Sequence, residues 1–384
     1  LRLVVAVAFL DLFMQFPIIA PFAKSLGSTS ALTGIIVGTY SLTNMAGNLV
    51  AGIALDKWGR KLPLGAGLSA TSLALLGYVF ATSPSQLLVS RALHGLSAAV
   101  LAPGAFALLG DLTRPRNIMS SMGINSLPIA IAAVVGPLLS VWLSETAGYS
   151  SVFLLSSLLM IVVFASFIYS STQTLTIQES SCDSPNASER HKADLGRMFN
   201  AYFAALAMTI GFGALVTNLP NWVISEVGPR SSSGIGFAVL SLFGMATMIS
   251  PLMSKGGSNT RIVSLTFGLV LIGLGLILLS FLGDIWGVMI SMAVFGTGFG
   301  MLFPTMKTIL IEATSSHNRG RAFCVFYAIY SLGVVVGSTG SGVILEFQGD
   351  AGGGPFIFGA AAALTAIPIT VFVEMLRKQP SGSR

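Results

Sequence analysis

Charged residues are scarce in this chain of 384 residues: Asp, Glu, Lys and Arg together make up 9% of it. Soluble domains carry roughly 25% charged residues. Hydrophobic residues make up 53% of the chain, so it cannot cover its surface with polar groups, and we expect its solvent to be largely lipid. The net charge of +6 does not indicate nucleic-acid binding, because the basic residues form no continuous patch interleaved with aromatic residues.

Cysteine and histidine are also scarce. The two cysteines, Cys182 and Cys324, lie too far apart in sequence to form a disulfide framework or a zinc site. The three histidines, His94, His191 and His317, share no metal-ligand spacing. No nucleophile motif and no phosphate-binding glycine loop occurs. We therefore expect no enzyme activity, no metal, no cofactor and no direct use of ATP.

Long apolar runs, by contrast, are abundant. A helix needs about 20 apolar residues to cross a bilayer. The sequence predicts an all-α membrane protein of twelve transmembrane helices in two pseudo-symmetric six-helix halves. The predicted spans are 3–23, 32–55, 62–82, 86–111, 117–143 and 150–171, then 198–224, 232–253, 261–282, 285–312, 319–346 and 355–376.

These spans divide the chain into an N-terminal six-helix bundle (1–171), a cytoplasmic linker (172–197), a C-terminal six-helix bundle (198–376) and a cytoplasmic tail (377–384). The linker contains the one long polar stretch, whose composition favours flexibility. The opening run LRLVVAVAFL is interpreted as a retained first span rather than a signal peptide, because no small-residue cleavage site follows it.

The basic residues predict the orientation, because cytoplasmic loops retain Lys and Arg. With twelve spans, sixteen of the 20 Lys and Arg residues lie on the side of both termini and the linker, and only Lys24 and Arg230 lie on the opposite side. We therefore expect both termini in the cytoplasm, in a bacterial-type inner (plasma) membrane.

The two halves repeat each other at an offset of 201 positions. The matching residues are Gly95, Pro103 and Asp111 in the fourth span and Gly296, Pro304 and Glu312 in the tenth. Duplicated halves create an interface at the bilayer midplane that opens to either side by rocking, which is the geometry of secondary transport.

A concentration of charge in the loop after the second span carries the most specific signal. The segment GIALDKWGRK at 52–61 resembles the loop signature of the major facilitator superfamily, G-x-x-x-D-[RK]-x-G-R-[RK]. Every defined position is filled, by Gly52, Asp56, Lys57, Gly59, Arg60 and Lys61. The predicted spans, linker and repeat agree with that family over essentially the whole chain.

This resemblance implies that the segment is a conformational latch. Asp56 would dock at the start of span eleven, near 319–323, and with Arg60 and Asp111 hold the halves together when the cytoplasmic side is closed. Arg116, at the start of span five, belongs to the same predicted cluster. Topology alone explains Lys57 and Lys61, but not an acidic residue between two glycines.

The second half contains a degraded copy of this segment, SKGGSNTR at 254–261, which lacks the acidic residue. We therefore expect a weaker latch there, in which Glu312 and Arg321 could still pair.

Three ionisable residues, Asp11, Arg91 and Lys307, lie well inside predicted spans. Each costs about 2.5–3.5 kcal/mol at a helix centre unless it is paired or hydrated, so each is a candidate for function. Lys307 lies close to the cytoplasmic end of its span, and snorkelling is the simpler explanation for it.

Three segments resemble the drug:proton antiporter branch of the same superfamily. FLDLFMQFPIIAP places the acidic Asp11 before a proline, RALHGLSAA begins with Arg91, and GPLLSV keeps Gly136 and Pro137 of the span-five antiporter motif. Two departures weaken this resemblance: His94 stands where the branch usually has Gln, and the motif's terminal glycine pair is replaced.

These residues predict a proton site facing the cavity between the halves. Burial favours a neutral carboxyl group, whereas a nearby guanidinium favours the carboxylate. If Arg91 or a cationic substrate approached Asp11 in one conformation and withdrew in the other, Asp11 would bind and release a proton with each cycle. Gln15, one turn on, would share its face. The alternative is a structural Asp that is paired locally.

Four further polar or aromatic residues are candidates for the same cavity. Histidine is the side chain suited to proton exchange near neutral pH, which makes His94 a candidate, although a hydrogen-bonded structural role is the alternative. Tyr327 and Tyr330, beside Phe326, would stack on an aromatic or cationic ligand, or simply pack. Asn125 would donate hydrogen bonds to substrate or to a neighbouring helix.

We expect a monomeric secondary active transporter that exports small amphipathic or cationic compounds in exchange for protons. Metabolite uptake, facilitated transport and lipid or lysolipid flipping on the same fold are the alternatives. The expected partners are a small-molecule substrate, protons and the lipid bilayer, with no nucleic acid.

Overall fold

A computed structural model of the chain describes residues 2–105, 118–173, 194–229, 231–250, 258–314, 319–348 and 353–378. Within these ranges the chain is helical, with no strand. The helices are α1 (Arg2–Gln15), α2 (Ile19–Ser25), α3 (Ser30–Lys57), α4 (Lys61–Val79), α5 (Pro84–Ala98), α6 (Ile118–Ala147), α7 (Tyr149–Gln173), α8 (Leu195–Glu226), α9 (Ser231–Met248), α10 (Ser258–Phe281), α11 (Ile285–Ala313), α12 (Arg319–Gln348) and α13 (Gly354–Lys378).

The predicted all-α membrane fold is confirmed, and the described helices are consistent with two six-helix halves. Ten helices of the described chain are long and apolar enough to cross a membrane individually. The bent pair α1 and α2 is an eleventh candidate span. Helix α3, with 28 residues, is about 42 Å long, which is long enough to cross a membrane.

The first span is broken, which the sequence-based prediction of an uninterrupted helix over 3–23 did not include. Helix α1 ends at Gln15, α2 begins at Ile19, and the two are bent by 49°. Pro17 explains the break, because proline lacks a backbone N–H and disfavours helical geometry at the residue before it.

The structure reproduces the sequence repeat at the level of helix contacts. Gly95 of α5 packs against the backbone of Tyr40 in α3, and Gly296 of α11 packs against the backbone of Leu240 in α9. Each glycine leaves no room for a Cβ atom, so the two helix pairs approach equally closely in the two halves. The bundles 1–171 and 198–376 agree with α7 ending at Gln173 and α8 beginning at Leu195. Their boundaries stay predictions, because most of the linker and the tail lie outside the described residues.

We call the side of the membrane on which α1 begins and α13 ends the inner side, and the opposite side the outer side. On the outer side, α3 of the first half packs against α12 of the second. A Cβ at Gly38 would lie 3.3 Å from the Cα of Val335, and one at Gly342 would lie 3.2 Å from the Cα of Gly34. The carboxylate of Glu346 accepts a hydrogen bond from the backbone of Ala31 at the start of α3.

Two other contacts close the outer side. A Cβ at Gly234 in α9 would lie 2.9 Å from the carbonyl oxygen of Pro137 in α6. Phe16, in the break of the first span, contacts Phe212 of α8 and Phe237 of α9, with ring centroids 5.4 and 5.9 Å apart.

Toward the inner side, α3 and α12 expose apolar residues instead of burying them against each other. Leu49 and Ile53 of α3 are 62% and 69% exposed, and Tyr327 of α12 is 44% exposed. We interpret the tight outer contacts and these exposed inner residues as a conformation closed on the outer side and open on the inner side, and we call the space between the inner ends of α3 and α12 the vestibule.

Candidate transport site

A buried polar network occupies the N-terminal half. It is formed by two residues of α1, Asp11 and Gln15, and two of α5, Arg91 and His94. Spacings of four and three residues put each pair on one face of its helix. The shared face of Asp11 and Gln15 was expected from the sequence. The first span and the fourth bring these two faces together.

Gln15 lies at the centre of this network. Its side-chain nitrogen donates a 2.9 Å hydrogen bond to Oδ1 of Asp11 and lies 3.4 Å from Nδ1 of His94. Its side-chain oxygen accepts a hydrogen bond from Nη1 of Arg91. Gln15 therefore stands between the buried anion and the buried guanidinium.

His94 is the direct neighbour of Asp11. Its Nε2 lies 3.0 Å from Oδ2 of Asp11, although the N–H direction is not aligned for a formed hydrogen bond. The Tyr78 hydroxyl lies 3.2 Å from Nδ1 of the same ring. Because the Gln15 amide nitrogen can only donate to Nδ1, the neutral ring carries its hydrogen on Nε2, facing the carboxylate.

Two tyrosines complete the surroundings of the network, and sequence reasoning missed both of them. The Arg91 guanidinium lies over the ring of Tyr40 at 4.8 Å from its centroid, which is a cation–π contact. The His94 ring makes edge contacts with Tyr40 and Tyr78, and Tyr78 stacks on Phe153. A tyrosine in an apolar span gives no sequence signal that separates a network partner from a packing residue.

The position of Asp11 corrects one expectation. Asp11 was expected to face the cavity between the halves, but it is 3% exposed and packs inside the N-terminal half. Arg91, which was expected to approach Asp11 directly, reaches it through Gln15. The physical reason is that α1 and α5 pack with these polar faces toward each other, so that Asp11 meets Gln15 and His94 instead of the opposite half.

The network adjoins the break in the first span. Gln15 is the last residue of α1, and Phe16 follows it directly and contacts the C-terminal half. A change in the hydrogen bonds of Gln15 therefore acts one residue away from an outer contact between the halves.

A second cluster lies in the C-terminal half, nearer the inner side. Nζ of Lys307 lies 3.9 Å from the ring centroid of Phe303 and 5.8 Å from that of Tyr327. Tyr330 makes an edge contact with Phe303. Of the two predicted tyrosines, Tyr327 therefore lies near the lysine, and Tyr330 packs on Phe303, while Phe326 is fully buried beside both tyrosines.

The antiporter-type residues join three helices. A Cβ at Gly136 would lie 3.0 Å from Cβ of Phe13 and 3.3 Å from the carbonyl oxygen of Leu10, so α6 lies directly against α1 beside Asp11. The next residue, Pro137, meets Gly234 of the other half. These two residues connect the network's helix with the outer contact between the halves.

The predicted latch is described in part. Gly59 has a φ of +73°, which favours glycine and turns the chain between α3 and α4. Arg60 donates a 3.1 Å hydrogen bond to the carbonyl oxygen of Leu55. Gly52 has open space around it, and Lys61 begins α4. Several predicted residues lie outside the described part of the structure: the side chains of Asp56 and Asn125, and Asp111 and Arg116 altogether.

The repeated copy of this region reveals a pair that the sequence analysis did not predict. Glu312 was expected to pair with Arg321, but it forms an ion pair with Arg261 and lies 3.9 Å from Arg197. Arg261 and Glu312 stand 201 positions after Arg60 and Asp111. The second half therefore contains the arginine–carboxylate pair that was predicted for the first.

Comparison with known proteins identifies the family. The chain matches the Major Facilitator Superfamily over residues 1–338, with a further match over residues 261–381. This chain belongs to the Major Facilitator Superfamily. It is therefore a transporter rather than an enzyme, and an integral multi-pass membrane protein.

Relatives within the superfamily share low identity over nearly full length. The inner membrane transport protein YajR of Escherichia coli is 24% identical, covering 97% of this chain and 81% of that protein. The quinolone resistance protein NorA of Staphylococcus aureus is 23% identical, covering 96% of this chain and 94% of that protein.

Solved structures of the superfamily share the fold. A bacterial homologue of the human lysosomal transporter Spinster, in an inward-facing and occupied conformation, has a TM-score of 0.76 at 14% identity, covering 98% of this chain and 94% of that one. A POT family transporter in complex with 5-aminolevulinic acid also has a TM-score of 0.76 at 14% identity, covering 98% of this chain and 96% of that one.

Proposed function

We propose that this superfamily member exports small amphipathic compounds in exchange for protons by alternating access, with both termini in the cytoplasm. The buried network of Asp11, Gln15, Arg91 and His94 carries the proposal. A transporter driven only by its substrate gradient needs no ionisable residues inside its spans, and such residues are costly there. The likeness to a quinolone resistance protein supports export of this kind.

The proton-binding unit is the pair of Asp11 and His94. Nε2 of His94 and Oδ2 of Asp11 lie 3.0 Å apart, so one proton between them can be held by both side chains. With a neutral histidine, Asp11 and Arg91 balance each other's charge. One added proton leaves a net positive charge inside the bundle, which is unfavourable unless water enters or Arg91 moves away.

Conformational change supplies both of those events. Phe16 holds the outer contact with Phe212 and Phe237, and it is bonded directly to Gln15, the hydrogen-bond partner of Arg91. Opening the outer side separates Phe16 from the second half and moves Gln15 with it. Proton binding and opening are then coupled, because each disturbs the same side chain.

The latch on the inner side is part of the same proposal. When the inner side closes, Asp56 docks at the start of α12, and Arg60 pairs with Asp111. The Arg261–Glu312 pair of the second half supports the second contact, because it joins the equivalent positions of the repeat. The open space around Gly52 is available for the approach of α12.

The test is probe-dependent proton movement in proteoliposomes that contain the purified protein and a pH-sensitive dye. The probes are 1-pyrenebutyrate and 1-pyrenebutanol, two amphipaths with one aromatic body, and ethidium, a cation. We expect transport of at least one probe to be accompanied by proton movement in the direction opposite to that of the probe. Asp11→Asn should abolish this proton movement. His94→Gln should reduce it, and Glu145→Gln, an exposed residue on the outer side, serves as the control.

Other outcomes separate the alternatives. If probe transport by Asp11→Asn remained fully dependent on the pH gradient, the proposed role of Asp11 in proton binding would be refuted. Probe movement that ignores the gradient in the wild type would favour facilitated transport. Gradient-driven accumulation on the cytoplasmic side would favour uptake.

A further inference from the structure

Lys307 occupies an unusual position for a lysine of a transmembrane helix. It lies six residues before the end of α11, about 9 Å along the helix. It is only partly exposed, and its ammonium group lies over the face of Phe303 instead of extending past the helix end. Snorkelling to the inner surface, the simpler explanation from the sequence, does not describe this conformation.

The face of α11 that carries Lys307 is covered neither by α9 nor by α10, and we assign it to the vestibule. The face with Gly296 and Gly300 packs on α9, and the face with Gly298 packs on α10. Phe299, Phe303 and Lys307 follow one another at intervals of four residues on the remaining face. Phe299 contacts α8 through Phe212, and Phe303 contacts α12 through Tyr330.

The ammonium group has no acidic partner within the described residues. Glu312, the nearest carboxylate along α11, is paired with Arg261. The neighbours of the ammonium are the ring faces of Phe303 and Tyr327, which stabilise a cation but do not neutralise it. A partly buried, unneutralised cation attracts an anion strongly, because little water screens it.

We propose that Lys307, Phe303, Tyr327 and Tyr330 form the binding site for the anionic head of an amphipathic substrate. The carboxylate, sulfonate or phosphate of that substrate accepts a charge-assisted hydrogen bond from Nζ of Lys307. Its apolar body lies against the rings of Phe303 and Tyr330. This inference rests on the proposed function, in which the substrate passes through the vestibule. It narrows the substrate class from amphipaths in general to amphipathic anions.

The positive charge of Lys307 disfavours binding of cationic compounds, which the sequence analysis had included among the expected substrates. A cation in this part of the vestibule meets Lys307 without any described carboxylate to offset the repulsion. A free aromatic or aliphatic acid and an acidic lysolipid share the required chemistry, namely one anionic group on an apolar body.

Binding to the purified protein in lipid nanodiscs, without any pH gradient, tests the inference. The matched probes are 1-pyrenebutyrate and 1-pyrenebutanol, which differ only in the anionic group. We expect the wild type to bind the butyrate at least about tenfold more tightly than the butanol, the effect of one charge-assisted hydrogen bond. Lys307→Met should bind the two probes equally, and Lys307→Arg should keep the preference.

Further variants guard against an indirect effect. Phe303→Leu keeps an apolar side chain but removes the ring, so it should weaken binding of both pyrene probes while preserving the preference for the anion. Equal binding of the two probes by the wild type, or an unchanged preference in Lys307→Met, would overturn the inference. Preferential binding of ethidium would overturn it as well.

The source of the anion is resolved by competition. If a fluorescent lysophosphatidate displaces 1-pyrenebutyrate and crosses the bilayer of proteoliposomes, the substrate is an acidic lysolipid; if only the free acid moves, it is a soluble amphipath. The binding test is also run on Asp11→Asn, which should retain the preference. In the wild type, a preference for the anion without any probe-dependent proton movement would refute the proposed coupling and leave this site standing.

Discussion

The carboxylate of Glu346, at the outer end of α12, accepts a 2.7 Å hydrogen bond from the backbone N–H of Ala31, in the first turn of α3. The first N–H groups of a helix have no partner within the helix, and the positive end of the helix dipole favours an anion there. Thr29, the N-cap of α3, satisfies another of these groups, the N–H of Leu32. Glu346 therefore links the two halves on the closed side through a backbone group.

Glu346→Gln should shift the protein toward the state that is open on the outer side. The amide cannot supply the negative charge, so the contact with the start of α3 weakens while the fold stays intact. The measurement is the distance between spin labels at positions 85 and 283, on the outer ends of opposite halves, in a chain with Cys182 and Cys324 replaced by serine. Longer distances are expected in Glu346→Gln than in Glu226→Gln, an exposed carboxylate elsewhere on the outer side. Identical distance distributions would contradict this role.

Gln15→Leu should lower the stability of the protein as well as its transport. The substitution leaves the buried Asp11 and Arg91 without their shared partner, and an unsatisfied buried polar group costs about 1–3 kcal/mol. Thermal unfolding in detergent should show a clear fall in Tm. Leu12→Met, a volume-conserving change at the neighbouring position, should leave the Tm nearly unchanged. Equal Tm values for the two variants would show that Gln15 does not organise the network.

Gly136→Val should separate α6 from α1 and impair transport. A Cβ alone would lie 3.0 Å from Phe13, so a branched side chain must displace one helix, at about 1–3 kcal/mol for an overpacked site. Proton movement driven by 1-pyrenebutyrate should fall strongly. Gly65→Ala is the control, because its added Cβ would make an ordinary 3.6 Å contact with Phe167. Normal transport by Gly136→Val would argue against the tight packing beside Asp11.

Asp56→Asn should slow turnover while leaving substrate binding nearly unchanged. The proposed latch acts only when the inner side closes, and it lies away from the cluster around Lys307. We expect a reduced kcat for proton-coupled movement of 1-pyrenebutyrate, with its Kd within about twofold of the wild type. Lys57→Gln, which removes the adjacent charge, should change neither quantity. A large loss of affinity with normal turnover would show that Asp56 is not a latch residue.

Helical periodicity predicted the polar network well but not its surroundings. A spacing of four residues was sufficient to place Gln15 beside Asp11 on one helix face. Which side chains of the network meet depends on the rotation of each helix about its axis, and the sequence contains no direct measure of that rotation. His94 rather than Arg91 therefore proved to be the neighbour of Asp11.

The status of Lys307 shows the same limit. A face that points to lipid and a face that points to an apolar vestibule have similar compositions, so the pattern Phe299, Phe303, Lys307 did not distinguish them. The break in the first span, by contrast, has a signal in the sequence, because Pro17 inside an apolar run indicates an interruption of the helix. The predicted span 3–23 did not use that signal. The contact between Glu312 and Arg261 joins the ends of two helices whose approach only the tertiary packing determines.

Partly exposed aromatic rings connect the break in the first span with Lys307. Centroid separations of 5.4, 5.9 and 5.7 Å join Phe16, Phe212, Phe299 and Phe303 in sequence. Ring faces attract flat apolar groups without fixing their outline, whereas a single ammonium group discriminates by charge. We therefore expect a transporter that accepts anions of many molecular shapes and disfavours neutral and cationic compounds. Chemically unrelated acids should compete for its binding site, whereas the neutral analogue of each acid should not.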